Sequence, residues 1–205
     1  MSAPRGALLV ATGNAGKLRE LRALLGDLPV TLHSLRDFPR VALPEEGDDY
    51  TENALTKARV AAAQSGLPAL GDDSGLEVEA LGGAPGPHSA RYGGPSLDDA
   101  GRVAHLLAAL RGRTGDARRA RFVCIAALAL PDGSAWTARG ECPGTILDAP
   151  RGDGGFGYDP VFWSSELGAG MAELPEVQKN EISHRGRALR GLRARIVEQV
   201  LRPSG

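Results

Sequence analysis

Lysine is nearly missing from this sequence. Of its 24 basic residues only Lys17, Lys57 and Lys179 are lysines. A chain that writes almost every cation as arginine has kept lysine at three places. Lysine offers a compact point charge suited to a phosphate, where arginine offers a planar fork; chance retention is the alternative. The other scarcities exclude whole classes. Two cysteines, Cys124 and Cys142, make neither a disulfide framework nor a zinc site, and Cys124, inside the apolar run 122–130, reads as a buried, inert thiol. The first apolar run, 7–11, is too short for a signal peptide, and no run approaches a membrane span, so a cytoplasmic address without a membrane partner is expected. A net charge of −1 provides no broad basic surface for a nucleic acid. Aromatics make up only 4%, so two on one loop stand out. What remains, 205 residues that are 42% apolar and 24% charged, is enough for a single globular domain with a core.

Residues 7–11 read as a buried strand, followed by a Gly-rich turn and a helix with Leu18, Leu21, Leu24 and Leu25 at helical spacing. A second helix is expected over 51–64, capped near Tyr50 or Thr51 with Glu52 in its first turn. A short strand over 68–70 leads into Asp72-Asp73-Ser74-Gly75, read as a turn, and residues 76–80 alternate like a half-exposed strand. The Gly/Pro-dense stretch 82–95 is a loop. Ser96 then caps a helix with Asp98 and Asp99 in its first turn and Val103, Leu106, Leu107 and Leu110 on its apolar face. Residues 122–130 form a buried strand, turned by Pro131-Asp132-Gly133 into a partner over 134–140. A Gly-rich loop over 148–160 and a final helix over 184–201 complete the chain. Helices and strands alternate and a hairpin follows, so the class is α/β with a mixed sheet, in one domain spanning 1–205.

Four constellations carry chemistry. Thr12-Gly13-Asn14-Ala15-Gly16-Lys17 runs from a strand into a helix start, which offers backbone N–H groups and the helix dipole to an anion. It is not a P-loop, because Ala11 stands where that pattern needs Gly and Leu18 where it needs Ser or Thr. An ordinary strand–helix turn fits equally well. Residues 152–157 match G-x-G-x-x-G formally, but no βα unit surrounds them and Tyr158-Asp159-Pro160 directs the chain along an extended path, so a dinucleotide fold is excluded. What is left is a loop presenting Phe156 and Tyr158, suited to a base or to a small local core. Asp72-Asp73, with Glu45, Glu46, Asp48 and Asp49, supplies the hard oxygens magnesium needs, and neighbours on an extended chain point to opposite sides; a solvated turn is the alternative. Lys179-Asn180 and Ser183-His184-Arg185-Gly186 combine a recognition patch with what could equally be a capped helix start. His33, His88 and His105 have no such company and are taken as structural or exposed.

Six ordered blocks, ATGNAGKLREL at 11–21, EEG with TENALTKA within 45–58, GDDSGLEVEAL at 71–81, GAPGPHSARYGG at 83–94, PRGDGGFGYDPVF at 150–162 and KNEISHRGRAL at 179–189, together resemble the inosine triphosphate pyrophosphatase family. They span most of the chain, and all three lysines fall inside them. The resemblance implies an elongated mixed β-sheet with flanking helices forming two lobes around a central cleft, usually in a homodimer. It implies hydrolysis of ITP, dITP and XTP to the monophosphate and pyrophosphate, with Mg2+ as cofactor.

Residue by residue, it implies that Thr12, Gly13, Asn14, Ala15, Gly16 and Lys17 bind the triphosphate, that Asp73 is proton acceptor and metal ligand, and that Ser74 touches substrate. The metal-binding glutamate maps onto Glu45, or onto Glu46 if the segment shifts by one. Phe156, Gly157, Tyr158 and Asp159 are similar to a base-binding wall, and Lys179, His184 and Arg185 to contacts closing over the nucleotide. Asp72, Asn53 and Lys57 stand as supporting residues, Lys57 either neutralising phosphate or bracing the acids. Asp48, Asp49, Tyr50 and Gln178 depart from the family's usual residues without removing a group from the site. A Maf-like pyrophosphatase for modified pyrimidine or guanine nucleotides and a non-catalytic nucleotide-binding protein are the alternatives.

Overall fold

The chain is described here by a computed structural model covering residues 6–201. Its strands are β1 (Gly6–Val10), β2 (Val30–Ser34), β3 (Ala69–Val78), β4 (Pro85–Gly86), β5 (Arg119–Ala129), β6 (Ala135–Ile146), β7 (Phe162–Ser164) and β8 (Ala169–Gly170). The helices are α1 (Ala15–Leu25), α2 (Tyr50–Ser65), α3 (Asp99–Ala109), α4 (Glu176–Ile182) and α5 (His184–Ile196), the last continuing into a π-helical turn over Val197–Leu201. The strands pair in the order β2-β1-β3-β5-β6-β7-β8, with β4 on β3. β1 runs parallel to β2 and β3, while β7 runs antiparallel to both β6 and β8, so the sheet is mixed as expected.

The chain divides into two compact units, with boundaries inside β3, β5 and β6 and after the first residue of α5. The first comprises the chain up to Asp73, Cys124–Gly140 and the chain from Arg185. β1 is apolar throughout, and Leu8, Leu9 and Val10 are fully buried, which suits a strand between two parallel neighbours. Its core joins Leu8, Leu70 and Leu128 to Leu21 and Leu25 of α1 and Leu189, Leu192 and Ile196 of α5. Helix α2 presents Ala54, Ala58, Ala61 and Ala62 inward. A Cβ on Gly71 would lie 2.7 Å from the Ala54 carbonyl oxygen, so glycine lets α2 rest directly on β3 just before Asp72.

The second unit comprises Ser74–Val123 and Glu141–His184. Val103 and Leu106 of α3 pack with Phe122, Ile146, Tyr158 and Phe162; burying each such side chain contributes roughly 1.5–3 kcal/mol. The buried Arg118 donates to the carbonyls of Ile146 (2.7 Å) and Leu147 (2.6 Å), and to that of Arg113 (3.2 Å). Its bond to the Leu110 carbonyl, at 3.4 Å, answers an orphan carbonyl just after α3 from the turn that leads into β5.

Several elements differ from the sequence reading. Asp72-Asp73-Ser74-Gly75 is not a turn but the middle of β3; strand pairing on both sides outweighs the local turn preference of Asp, Ser and Gly. Helix α2 is capped by Asp49, not by Tyr50 or Thr51: its side chain accepts from Glu52 N at 2.8 Å. Asp98, not Ser96, caps α3. Lys179 and Asn180 lie within the short helix α4, rather than in a loop before the last helix. Among the described residues no helix is long and apolar enough to cross a membrane.

Candidate active site

Alternation along β3 sends Asp72 and Asp73 into two different settings. Asp72 is 1% exposed; its Oδ2 lies 3.2 Å from Lys17 Nζ of α1 and 3.2 Å from Arg185 Nε of α5. Arg185 also pairs with Glu20 of α1. Burial alone would raise the Asp72 carboxyl, but Lys17, then Arg185 and Lys57, hold it far below the usual carboxylate range. Cys124 lies beside it, its thiol pushed up to about 12 by burial and next by the charge of Asp72, and stays inert.

Asp73, 2% exposed, faces α2 instead. Asn53 Nδ2 donates to its Oδ2 at 2.8 Å and to the Gly47 carbonyl at 3.0 Å, while Asn53 Oδ1 accepts from Gly47 N at 2.7 Å. One amide therefore ties the acidic segment 45–49 to the carboxylate. Lys57 Nζ pairs with Glu46 and lies 3.8 Å from Asp73 Oδ1. Burial raises the Asp73 carboxyl above its ordinary value, and Lys57, Lys17 and Asn53 only partly offset it. For Lys57, burial works downward, but Asp72, Asp73 and Glu46 reverse it and keep the ammonium charged. A concavity of about 260 Å³ lies alongside, lined by Glu45, Glu46, Asn53 and Lys57 among others. Glu45 is exposed there, while half-buried Glu46 makes the pairing with Lys57.

The turn before α1 presents Gly13, Asn14 and Ala15 to solvent. Asn14 Oδ1 accepts from Lys17 N at 3.0 Å and caps the helix, and Thr12 Oγ1 accepts from Asn14 N at 3.1 Å. An exposed helix N-terminus with a lysine in its first turn is an anion seat.

The second unit carries a separate group. Lys179 Nζ lies 2.5 Å from Asp159 Oδ2 and 5.2 Å from the centroid of the Phe156 ring. Asp159 Oδ2 also accepts from Phe156 N at 2.8 Å. His184 stacks on Phe122, centroids 4.8 Å apart. Phe156 is half-buried, whereas Tyr158, 4% exposed, is a core residue whose hydroxyl donates to the Ser89 carbonyl at 3.0 Å. Tyr158 therefore anchors the turn rather than presenting its ring, because burying it completes the core around Phe122 and Phe162. The glycines of 152–155 serve close packing: a Cβ on Gly154 would come within 2.8 Å of the Ala172 carbonyl oxygen.

The six motif blocks thus lie in two side-chain groups, one on Asp72 and Asp73 and one on Asp159. A profile of the Ham1 family matches residues 8–195, nearly the whole described chain. The chain belongs to the Ham1 family. Among its Ham1 relatives, the dITP/XTP pyrophosphatase of Geobacter sulfurreducens is 56% identical over 183 residues, covering 89% of this chain and 92% of the relative. That of Thermus thermophilus is 52% identical over 185 residues, covering 90% and 89%. A Ham1 protein of known structure from Coxiella burnetii superposes with a TM-score of 0.83 at 42% identity, covering 94% of this chain and 98% of the other.

Glu20 has no role in the sequence reading, and Asp99 has one only as an acid in the first turn of its helix. Glu20 had a readable signal, since it falls on the same buried stripe of α1 as Gly16, Leu21 and Leu25. An acid on an apolar stripe asks for a buried cation, and Arg185 is that cation.

Proposed function

We propose that this chain is a nucleoside-triphosphate pyrophosphatase that hydrolyses dITP, ITP and XTP to the monophosphate and pyrophosphate. The observation that supports it most directly is the divergence of two adjacent carboxylates. Asp72 is held as a permanent anion by Lys17 and Arg185, and Asp73 is kept more basic by burial. Neighbouring acids pushed apart in this way divide into a structural charge and a working base. Asp73 takes a proton from the water that attacks the α-phosphorus; the bond from that phosphorus to the α–β bridging oxygen breaks, and pyrophosphate leaves. Lys17, oriented by Asp72, offers its charge to the triphosphate beside the N–H groups that open α1. Lys57 balances Glu46 and Asp73 and keeps both poised.

Asp73 with Glu46 or Glu45 suits Mg2+, which asks for one or two carboxylates and takes its other oxygens from water and substrate phosphates. When bound, that ion draws charge from the leaving pyrophosphate. In the second unit Phe156 offers a face for a purine and Lys179 a donor for its 6-oxo group. Adenine would set an amino group, itself a donor, against that ammonium and leave the amino group without an acceptor.

Pyrophosphate release across a panel of triphosphates, with and without Mg2+, tests the reading. dITP and XTP are expected to exceed ATP and the pyrimidine triphosphates. The substitution Asp73→Asn should lower kcat by roughly 10²–10⁴. A preference for TTP or UTP, or turnover within a few-fold after Asp73→Asn, would overturn it.

A further inference from the structure

Two adjacent carboxylates open α3, and they have different partners. Asp98 Oδ1 accepts from Gly101 N at 2.8 Å and caps the helix. Asp99 Oδ2 reaches out of the helix to accept from Gly157 N at 2.8 Å, 58 residues away, while its Oδ1 lies 3.3 Å from Arg102 Nη1. With the cap already supplied by Asp98, the helix has no need of a bond from Asp99 to a distant amide. Gly157 has φ +61, so the chain bends there between Phe156 and Asp159. The preceding amide, that of Phe156, is taken by Asp159. Two successive amides are therefore each fixed by a carboxylate, one local and one from α3. The start of the same loop is also tied to α3, through Arg118, which donates to the Ile146 and Leu147 carbonyls and, at 3.4 Å, to that of Leu110 at the helix end. Helix α3 thus frames the segment 147–157 from both sides.

We propose that Asp99 is a positioning residue for purine recognition: through the Gly157 amide it sets the pitch of the turn that carries Phe156 and Asp159, and so governs affinity for the base without touching the nucleotide. This rests on Phe156 being the base platform. A charged acceptor makes the stronger kind of hydrogen bond, and its loss leaves the turn held by Asp159 and by buried Tyr158, with the Gly157 amide between them released. The consequence falls on base binding and not on the proton transfer at Asp73.

Adjacent substitutions separate this role from general support of the helix. Asp98→Ala removes the cap of α3 and keeps the bond to Gly157; Asp99→Ala does the reverse. Steady-state kinetics with dITP and with deoxyribose 5′-triphosphate lacking a base should be read beside amide hydrogen exchange of the peptide containing 156–158. For Asp99→Ala the expected result is a KM for dITP raised about tenfold, about 1.4 kcal/mol, with kcat within threefold. The baseless substrate should be unaffected and exchange at 156–158 faster. Asp98→Ala should leave KM within twofold, and Asp99→Asn, which retains an acceptor oxygen, should recover most of the affinity. An equal rise in KM for both alanine variants, an equal loss on the baseless substrate, or unchanged exchange in Asp99→Ala would overturn the proposal. If the wild-type chain does not turn over dITP, the functional reading fails instead, and the exchange measurement still decides whether Asp99 fixes the turn.

Discussion

Arg185 is 1% exposed and stands between two buried carboxylates, so replacing it with methionine tests how the setting of Asp72 is held. Removing one partner of a buried ion pair costs about 3–5 kcal/mol, because a charge is left poorly compensated. Asp72 would keep Lys17 at 3.2 Å, so the greater loss falls on Glu20, and the expectation is the lower end, about 3 kcal/mol. Methionine fills much of the vacated volume and adds little cavity cost. At about 2–4 °C per kcal/mol for a chain of this length, Tm falls by roughly 6–12 °C. Thermal unfolding followed by ellipticity and by tryptophan fluorescence measures it. The pH dependence supplies a second check. The Asp72 carboxyl is depressed in the folded protein, so its contribution is present above the unfolded value of about 3.9 and is lost as pH falls through the folded one. Through Asp72, the gap between wild type and Arg185→Met should therefore be narrower below about pH 4 than at neutral pH. A fall in Tm under about 2 °C, or a gap as wide at about pH 3 as at about pH 7, would refute the reasoning.

Gly71→Ala would bring a Cβ to 2.7 Å from the Ala54 carbonyl oxygen and 3.0 Å from Ala58 N, both backbone, so α2 must move off β3. The expected cost is about 1–3 kcal/mol, with a fall in kcat as Asn53 and Lys57 leave Asp73; unchanged pyrophosphate release would count against the role of α2. Tyr158→Phe removes the bond to the Ser89 carbonyl and should cost about 1 kcal/mol in urea unfolding with kcat/KM nearly unchanged; a large loss of activity would put the hydroxyl on the substrate. Lys57→Arg keeps the charge but sets a planar fork where a side chain only 7% exposed meets Glu46 and Asp73. A loss of kcat of about tenfold or more is expected, and wild-type turnover would show that charge alone matters there.

What the sequence made legible was local or periodic. The leucine spacing of α1, the apolar run of β1 and the hairpin of β5 with β6 are all present where they were expected, although β6 continues to Ile146. The errors share one cause, which is that residue type reveals chemistry but not the neighbours that surround it. Asp, Ser and Gly favour turns, yet sheet neighbours hold them in β3. Tyr158 looked like a twin of Phe156, and only the core around Phe162 separates their fates. Arg185 carries a partner that its own motif does not reveal, Glu20, 165 residues away. Such pairings over long sequence distance leave no periodic trace.

The scarcity of lysine acquires a physical reading once partners are known. Lys17 lies against Asp72, Lys57 against Asp73 and Lys179 against Asp159, so each of the chain's three lysines pairs with a buried aspartate of the two side-chain groups. Arginine is not excluded from such places by burial, since Arg185 and Arg118 are both buried. Those two work as fixed forks: Arg185 pairs with two carboxylates and Arg118 donates to several backbone carbonyls. A fork that satisfies several fixed acceptors is locked in place. An ammonium presents three donors on a compact head and a flexible stem, so it can answer one aspartate and still offer donors to a phosphate or a base that comes and goes. In a chain that otherwise prefers arginine, lysine thus stands where the proposed function asks Lys17 and Lys179 to keep one fixed aspartate and accept a second, transient partner, and where Lys57 bridges Glu46 and Asp73.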